Sequence, residues 1–96
     1  MAPATRPAGI GKLRDHLQQA DRSLGAVLAG EPEGGKRSRL EFAQAAVRDA
    51  LRWADDSGDC ASILVALEEV WVGDLSAVAA RHVEVARELC RSGVKQ

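Results

Sequence analysis

The sequence predicts an all-α protein, an up-down-up-down antiparallel four-helix bundle preceded by a flexible N-terminal tail. Its 96 residues include 17 Ala and ten Arg, a single Thr and no Tyr, a composition that favours helix over strand. Apolar residues recur at steps of three and four in four segments. The connections between the segments are short and rich in Gly, Pro, Ser and Asp, which favours antiparallel neighbours.

The chain is long enough for one domain and one core. Residues 1–9 hold two of the three prolines and show no apolar periodicity, so we expect a flexible tail there. The single helical-bundle domain is then expected over residues 10–96.

The first two helices are predicted over residues 10–29 and 38–57. The first shows an unbroken stripe at helical spacing: Ile10, Leu13, Leu17, Ala20, Leu24 and Val27. A loop is expected over residues 31–37, where a Pro and paired Gly interrupt the pattern. Ser38 and Glu41 have the spacing of a capping box, which predicts the start of the second helix.

The third and fourth helices are predicted over residues 60–72 and 75–91. Asp59 is expected to cap the third helix, and Gly73 to end it. Asp74 would then cap the fourth at once. The inward positions of the fourth helix are expected to include Val78 and His82.

This arrangement predicts which residues form the core and which segments lie at each end of the bundle. The residues expected to be buried together are Leu17, Leu24, Val47, Leu51, Leu64, Leu67, Val78 and Leu89. The 31–37 loop and the turn after Trp71 are expected at one end of the bundle. Trp53 is expected at the other end, because the second and third helices run in opposite directions.

Charge and composition narrow the class of partner. The net charge is −1, which disfavours nucleic acid as the main partner, and no apolar run is long enough to span a membrane. Residues 41–75 carry eight acidic and two basic residues, which favours either a basic partner surface or the basic first and fourth helices of a second copy. Two cysteines without an export signal indicate free thiols in a reducing cytoplasm. The excess of Arg over Lys and the absence of Asn favour a GC-rich bacterial source.

Neither the cysteines nor the histidines form a recognisable catalytic or metal motif. Counted outward from Gly73, Cys60 and Cys90 are expected at the same height in the bundle. A redox pair or half of a metal site is one interpretation, and small packed side chains are the favoured one. His82 is expected to pack in the core, and His16 is expected far from it, near the other end of the bundle. We therefore expect no catalytic residue, no metal and no cofactor.

The function that remains is a non-catalytic protein-protein interaction module, such as an adaptor, a small subunit or a regulator, with self-association as one form of it. The residues expected at the contact surface are Trp71, Trp53, Phe42, Arg37 and Arg39, since interface cores are enriched in aromatic residues and Arg. Two alternatives stay open. One is a nucleic-acid-binding module that uses the fourth helix and the basic residues 36–39, and the other is a small Cys/His metal or redox protein.

Overall fold

A computed structural model describes residues 9–92, and within that range the chain forms helices and no strand. The helices are α1 Ile10–Gly30, α2 Gly35–Asp56, α3 Cys60–Glu68 and α4 Ala77–Arg91, with a 3-10 turn at Val72–Asp74 between the last two. Each helix contacts the next, and α4 closes the ring against α1. The predicted all-α four-helix bundle is confirmed. The predicted tail lies outside the described residues, apart from Gly9.

Two ion pairs show that α1 and α2 run antiparallel. Arg14 of α1 pairs with Asp55 of α2, and Arg48 of α2 pairs with Asp21 of α1 at 3.0 Å. A step of seven residues forward along α1 therefore matches a step of seven residues backward along α2. The first pair joins the helices near one end of their shared length, and the second joins them near its middle.

The turn from α2 to α3 forms as the sequence predicts. The N–H of Gly58 donates to the Trp53 carbonyl at 2.9 Å, and Gly58 has a φ of 68°, a left-handed conformation that favours glycine. Asp59 then caps α3, since its carboxylate accepts the N–H of Ala61 at 3.2 Å. This tight connection lays α3 back along α2.

The start of α2 differs from the prediction. The helix begins at Gly35, no side chain caps it, and Ser38 lies within its first turn, so the predicted capping box is wrong. The reason lies in Arg37, whose guanidinium donates to the carbonyls of Leu28 at 2.9 Å and Glu31 at 2.6 Å. These bonds satisfy carbonyls at the end of α1 and tie the first turn of α2 to it. The connection therefore shortens to residues 31–34.

The end of α3 also differs. The helix stops at Glu68 rather than at residue 72, and Gly73 lies in the 3-10 turn. Arg87 of α4 supplies the reason, because its guanidinium donates to the carbonyls of Leu67 at 2.5 Å and Val70 at 2.8 Å. A side chain from another helix thus satisfies the carbonyls that α3 would otherwise satisfy by continuing.

Helix α4 starts later and faces inward through different residues than predicted. It begins at Ala77, with Ser76 rather than Asp74 as its N-cap. Val78 is 58% exposed, so its predicted burial is wrong, and Val83 takes the inward position instead. The helix is rotated about its axis relative to the prediction, because its flanking side chains bond to both neighbouring helices. His82 contacts α1, and Arg87 contacts the end of α3.

The core is apolar throughout the described residues, with no buried polar or charged side chain. Its largest fully enclosed side chains are Leu13, Leu17, Leu24, Leu40, Val47, Ile63, Leu67 and Val83. Four of the eight predicted core residues are buried: Leu17, Leu24, Val47 and Leu67. Leu51, Leu64 and Leu89 are half-buried and pack against this core.

Candidate protein-binding site

The large apolar side chains that stay exposed gather where α2, α3 and the 3-10 turn meet. We term this surface the α2–α3 face; its exposed apolar members are Phe42, Trp53, Val65 and Trp71. Among residues 9–92, the other large exposed apolar side chain is Val78, on α4. Exposed aromatic area of this kind is unfavourable in water and marks surfaces that contact other molecules.

A first groove lies at the end of this face where α2 begins. It has a volume of about 290 Å³, and its lining residues are Ser38, Arg39, Phe42, Glu69 and Trp71. Trp71 is 74% exposed and Phe42 is 56% exposed, so both rings are open to solvent. The Trp71 ring rests on Gly73, where a Cβ atom would lie 2.1 Å from the indole Nε1. Gly73 therefore sets the position of the ring, and a larger residue there would displace it.

A second groove follows along the same seam, towards the end of α2. It has a volume of about 260 Å³, and its lining residues are Asp49, Trp53, Ala61, Ser62, Val65 and Ala66. Trp53 is 39% exposed, and Val65 of α3 is 63% exposed. The two tryptophans therefore lie beside opposite ends of α2, in agreement with the prediction for them.

The five residues predicted for the contact surface fall into three places. Trp71, Phe42 and Arg39 come together in the first groove, and Trp53 lies in the second. Arg37 is committed to its own chain, through the α1 carbonyls and an ion pair with Glu41 at 3.1 Å.

Sequence reasoning missed two contributors to these grooves. Val65 lies off the apolar stripe that the spacing of helix three indicates, and this was the signal that it faces outward. Glu69 was missed because helix three was predicted to continue to residue 72, which would have made Glu69 an ordinary residue within the helix. It instead lies at the C-terminal end of α3, where it lines the first groove.

The charge of this face comes mainly from α3. Residues 59–71 contain three carboxylates, Asp59, Glu68 and Glu69, and no basic residue. On α2, Asp49 of the second groove pairs with Arg52 at 2.5 Å. The α3 side of the seam therefore carries carboxylates and no basic residue, with Glu69 lining the first groove, while the α2 side carries charges of both signs.

The structure brings together two histidines that the sequence analysis had placed apart. The Nδ1 atoms of His16 and His82 lie 3.0 Å apart across the α1–α4 contact, so the prediction that they are distant is wrong. One ring must donate and the other accept, which requires at least one neutral imidazole. Burial lowers the pKa of His16, with His82 as the second cause. Lys12 and Arg81 act in the same direction, and Asp15 opposes them.

The thiols of Cys60 and Cys90 lie close to each other, as their similar distances in sequence from Gly73 predict. Burial raises the pKa of Cys90, and a hydrogen bond with the Cys60 thiol and the charge of nearby Asp59 add to the effect. Both cysteines are free, with Cys60 half-buried as the first residue of α3. Within residues 9–92, no group of three or more His, Cys, Asp or Glu side chains has a geometry that could hold a metal ion.

The basic residues of α4 are partly committed to internal contacts. Arg87 bonds to the end of α3, and Arg91 lies 3.8 Å from Glu88. Burial and the nearby Arg91 charge lower the pKa of Arg87. The exposed aromatic side chains lie on α2 and just before the 3-10 turn rather than on α4, so the basic residues of α4 and the aromatic rings do not share one surface.

No family model, curated protein or solved structure shows significant similarity to this chain. Among the helices of residues 9–92, none combines the length and apolar character that crossing a bilayer demands. The function therefore has to be inferred from the geometry of the α2–α3 face.

Proposed function

We propose that this protein is a non-catalytic protein-interaction module that binds another protein through the α2–α3 face. The observation that carries the proposal is the pair of exposed rings, Trp71 and Phe42, on either side of one groove. Trp anchors that fill or border a pocket dominate the binding energy of many protein interfaces. Charged groups at the rim, here Arg39 and Glu69, would orient the partner.

The remaining polar sites support a binding role more than a catalytic one. The imidazoles of His16 and His82 bond to each other, and the thiol of Cys90 is buried. Neither pair lines the two grooves described above. The free thiols support a location in a reducing cytoplasm, and the Arg-rich, Asn-free composition supports a bacterial source.

The test compares three single variants of the full chain with the wild type. Trp71→Ala removes the most exposed ring, and Gly73→Ala displaces that ring while keeping it. Val78→Ala is the matched control, because it truncates an apolar side chain of similar exposure on α4. Each immobilised protein is exposed to a lysate of the source organism, and bound proteins are identified by mass spectrometry. Circular dichroism and thermal unfolding check that the fold is kept.

The proposal expects a bound protein that is retained by the wild type and by Val78→Ala but lost with Trp71→Ala and with Gly73→Ala. Light scattering is measured in parallel. A dimer that dissociates only in the Trp71 and Gly73 variants would make a second copy the partner. If Trp71→Ala instead lowers the melting point and leaves association unchanged, Trp71 covers the end of the core and the proposal fails.

A further inference from the structure

We infer that the partner of the α2–α3 face is a basic amphipathic helix, laid along the seam between α2 and α3. This inference rests on the proposed function and deepens it by naming the class of ligand. Three observations carry it: the two grooves are collinear, the surface between them is formed by small side chains, and the α3 wall is acidic.

The collinearity follows from the positions of the groove residues on α2. Phe42, Ala46, Asp49 and Trp53 are separated by steps of four, three and four, so they lie on one face of the helix. At about 1.5 Å rise per residue, the eleven residues from Phe42 to Trp53 span about 16 Å. The two grooves are thus a little over three helical turns apart along one line.

This distance matches the repeat of a second helix. Residues i and i+11 of an α-helix lie on nearly the same side, since eleven residues complete just over three turns. A docked helix can therefore place one bulky apolar side chain in each groove, with residues i+4 and i+7 between them. An extended peptide would cover the same distance with about five residues and would turn alternate side chains away.

The surface between the grooves permits close approach. Ala45 is exposed and Ala46 is half-buried, so no long side chain rises from α2 at these two positions. Small residues allow two helices to pack at the short end of the usual interaxial distance of about 8–10 Å. The walls on either side are the exposed apolar groups already named, Phe42 and Trp53 on one side and Val65 and Trp71 on the other.

Charge distinguishes this occupant from a second copy of the chain. The α1 stripe is enclosed in the protein's own core, from Leu13 to Leu28, so a second copy has no free α1 stripe to offer. Pairing two α2–α3 faces would set the α3 wall, with Glu69 at its groove, against another α3 wall of the same sign or against an α2 wall of mixed charge. Lys or Arg residues flanking the apolar side chains of a foreign helix would meet these carboxylates favourably.

The probe for the test is a library of 18-residue peptides displayed on phage and selected against the full chain. The library varies all positions and includes helical, extended and Pro-rich sequences. The selected peptide is then synthesised with a fluorescent label, and its Kd is measured by anisotropy. The proteins compared are wild type, Trp53→Ala, Trp71→Ala and the control Val78→Ala.

The expected peptides carry large apolar residues at positions i and i+11, with Lys or Arg beside them. Each tryptophan substitution should weaken binding at least about tenfold, as truncation of an interface anchor does. Val78→Ala should leave the Kd unchanged. Replacing the peptide's Lys and Arg with Glu should raise the Kd, and the increase should be larger at low salt than at high salt.

The outcomes separate this inference from the proposed function. Selected peptides that are extended or Pro-rich, or that need Trp71 but not Trp53, would overturn the helix inference while leaving a binding face in place. The same holds if no peptide is selected, or if light scattering shows a dimer that depends on Trp71. Peptides that bind all four proteins equally would overturn both.

Discussion

Replacing Leu67 with Ala should destabilise the bundle by about 2.5–5 kcal/mol. Leu67 is 0% exposed near the C-terminal end of α3. The three carbons removed are each worth about 0.8 kcal/mol of transfer free energy. Unless the surrounding side chains collapse into the space, the cavity adds about 24 cal/mol per Å³. A chain of 96 residues has a total stability of about 5–14 kcal/mol, so this one change removes a large share of it.

Urea unfolding followed by far-UV circular dichroism measures the effect. With a slope of about 1–2 kcal/mol per molar urea, the midpoint should fall by more than about 1 M. The matched control is Val65→Ala on the same helix, which is 63% exposed and should change the free energy of unfolding by less than about 0.5 kcal/mol. Leu51→Ala should fall between the two, because Leu51 is half-buried. Equal losses for Leu67 and Val65 would refute the packing of α3 described above.

Further predictions concern the polar contacts between helices. Arg87→Met should lower the free energy of unfolding by about 2 kcal/mol, because it leaves the carbonyls of Leu67 and Val70 without their charged donor, whereas Arg91→Met should lower it by under about 0.5 kcal/mol in the same urea assay. His16 has a lowered pKa in the folded state, so the unfolded chain binds protons first as pH falls below 6.5. Stability should therefore be highest above that pH and decline below it, and His16→Asn should flatten this decline in thermal melts. Maleimide at mildly alkaline pH should label Cys60 well before Cys90, since burial both covers the Cys90 thiol and raises its pKa; equal labelling by mass spectrometry would contradict this.

The candidate site was predictable in its residue types and only partly in its geometry. Trp71 and Phe42 stand out in a sequence with few aromatic residues, and the exposed position of Phe42 follows from its place beside the apolar stripe of α2. Their meeting in one groove required α3 to end at Glu68, because the chain then turns Trp71 back towards the start of α2. That early end depends on Arg87, which lies beyond the reach of any local pattern.

Local patterns in the sequence predict the four helices, the Asp59 cap after the second of them, and the inward stripe of α1. These features depend on interactions within a few residues, such as helical spacing or a cap. The rotation of α4 depends on tertiary contacts; it replaces Val78 with Val83 in the core and brings His82 to His16. The apolar residues of α4 are compatible with more than one rotation of the helix about its axis, since Ala79 and Ala86 point inward in both the predicted and the observed arrangement. Contacts with α1 and α3, formed by residues up to 66 positions apart in the chain, select one of them.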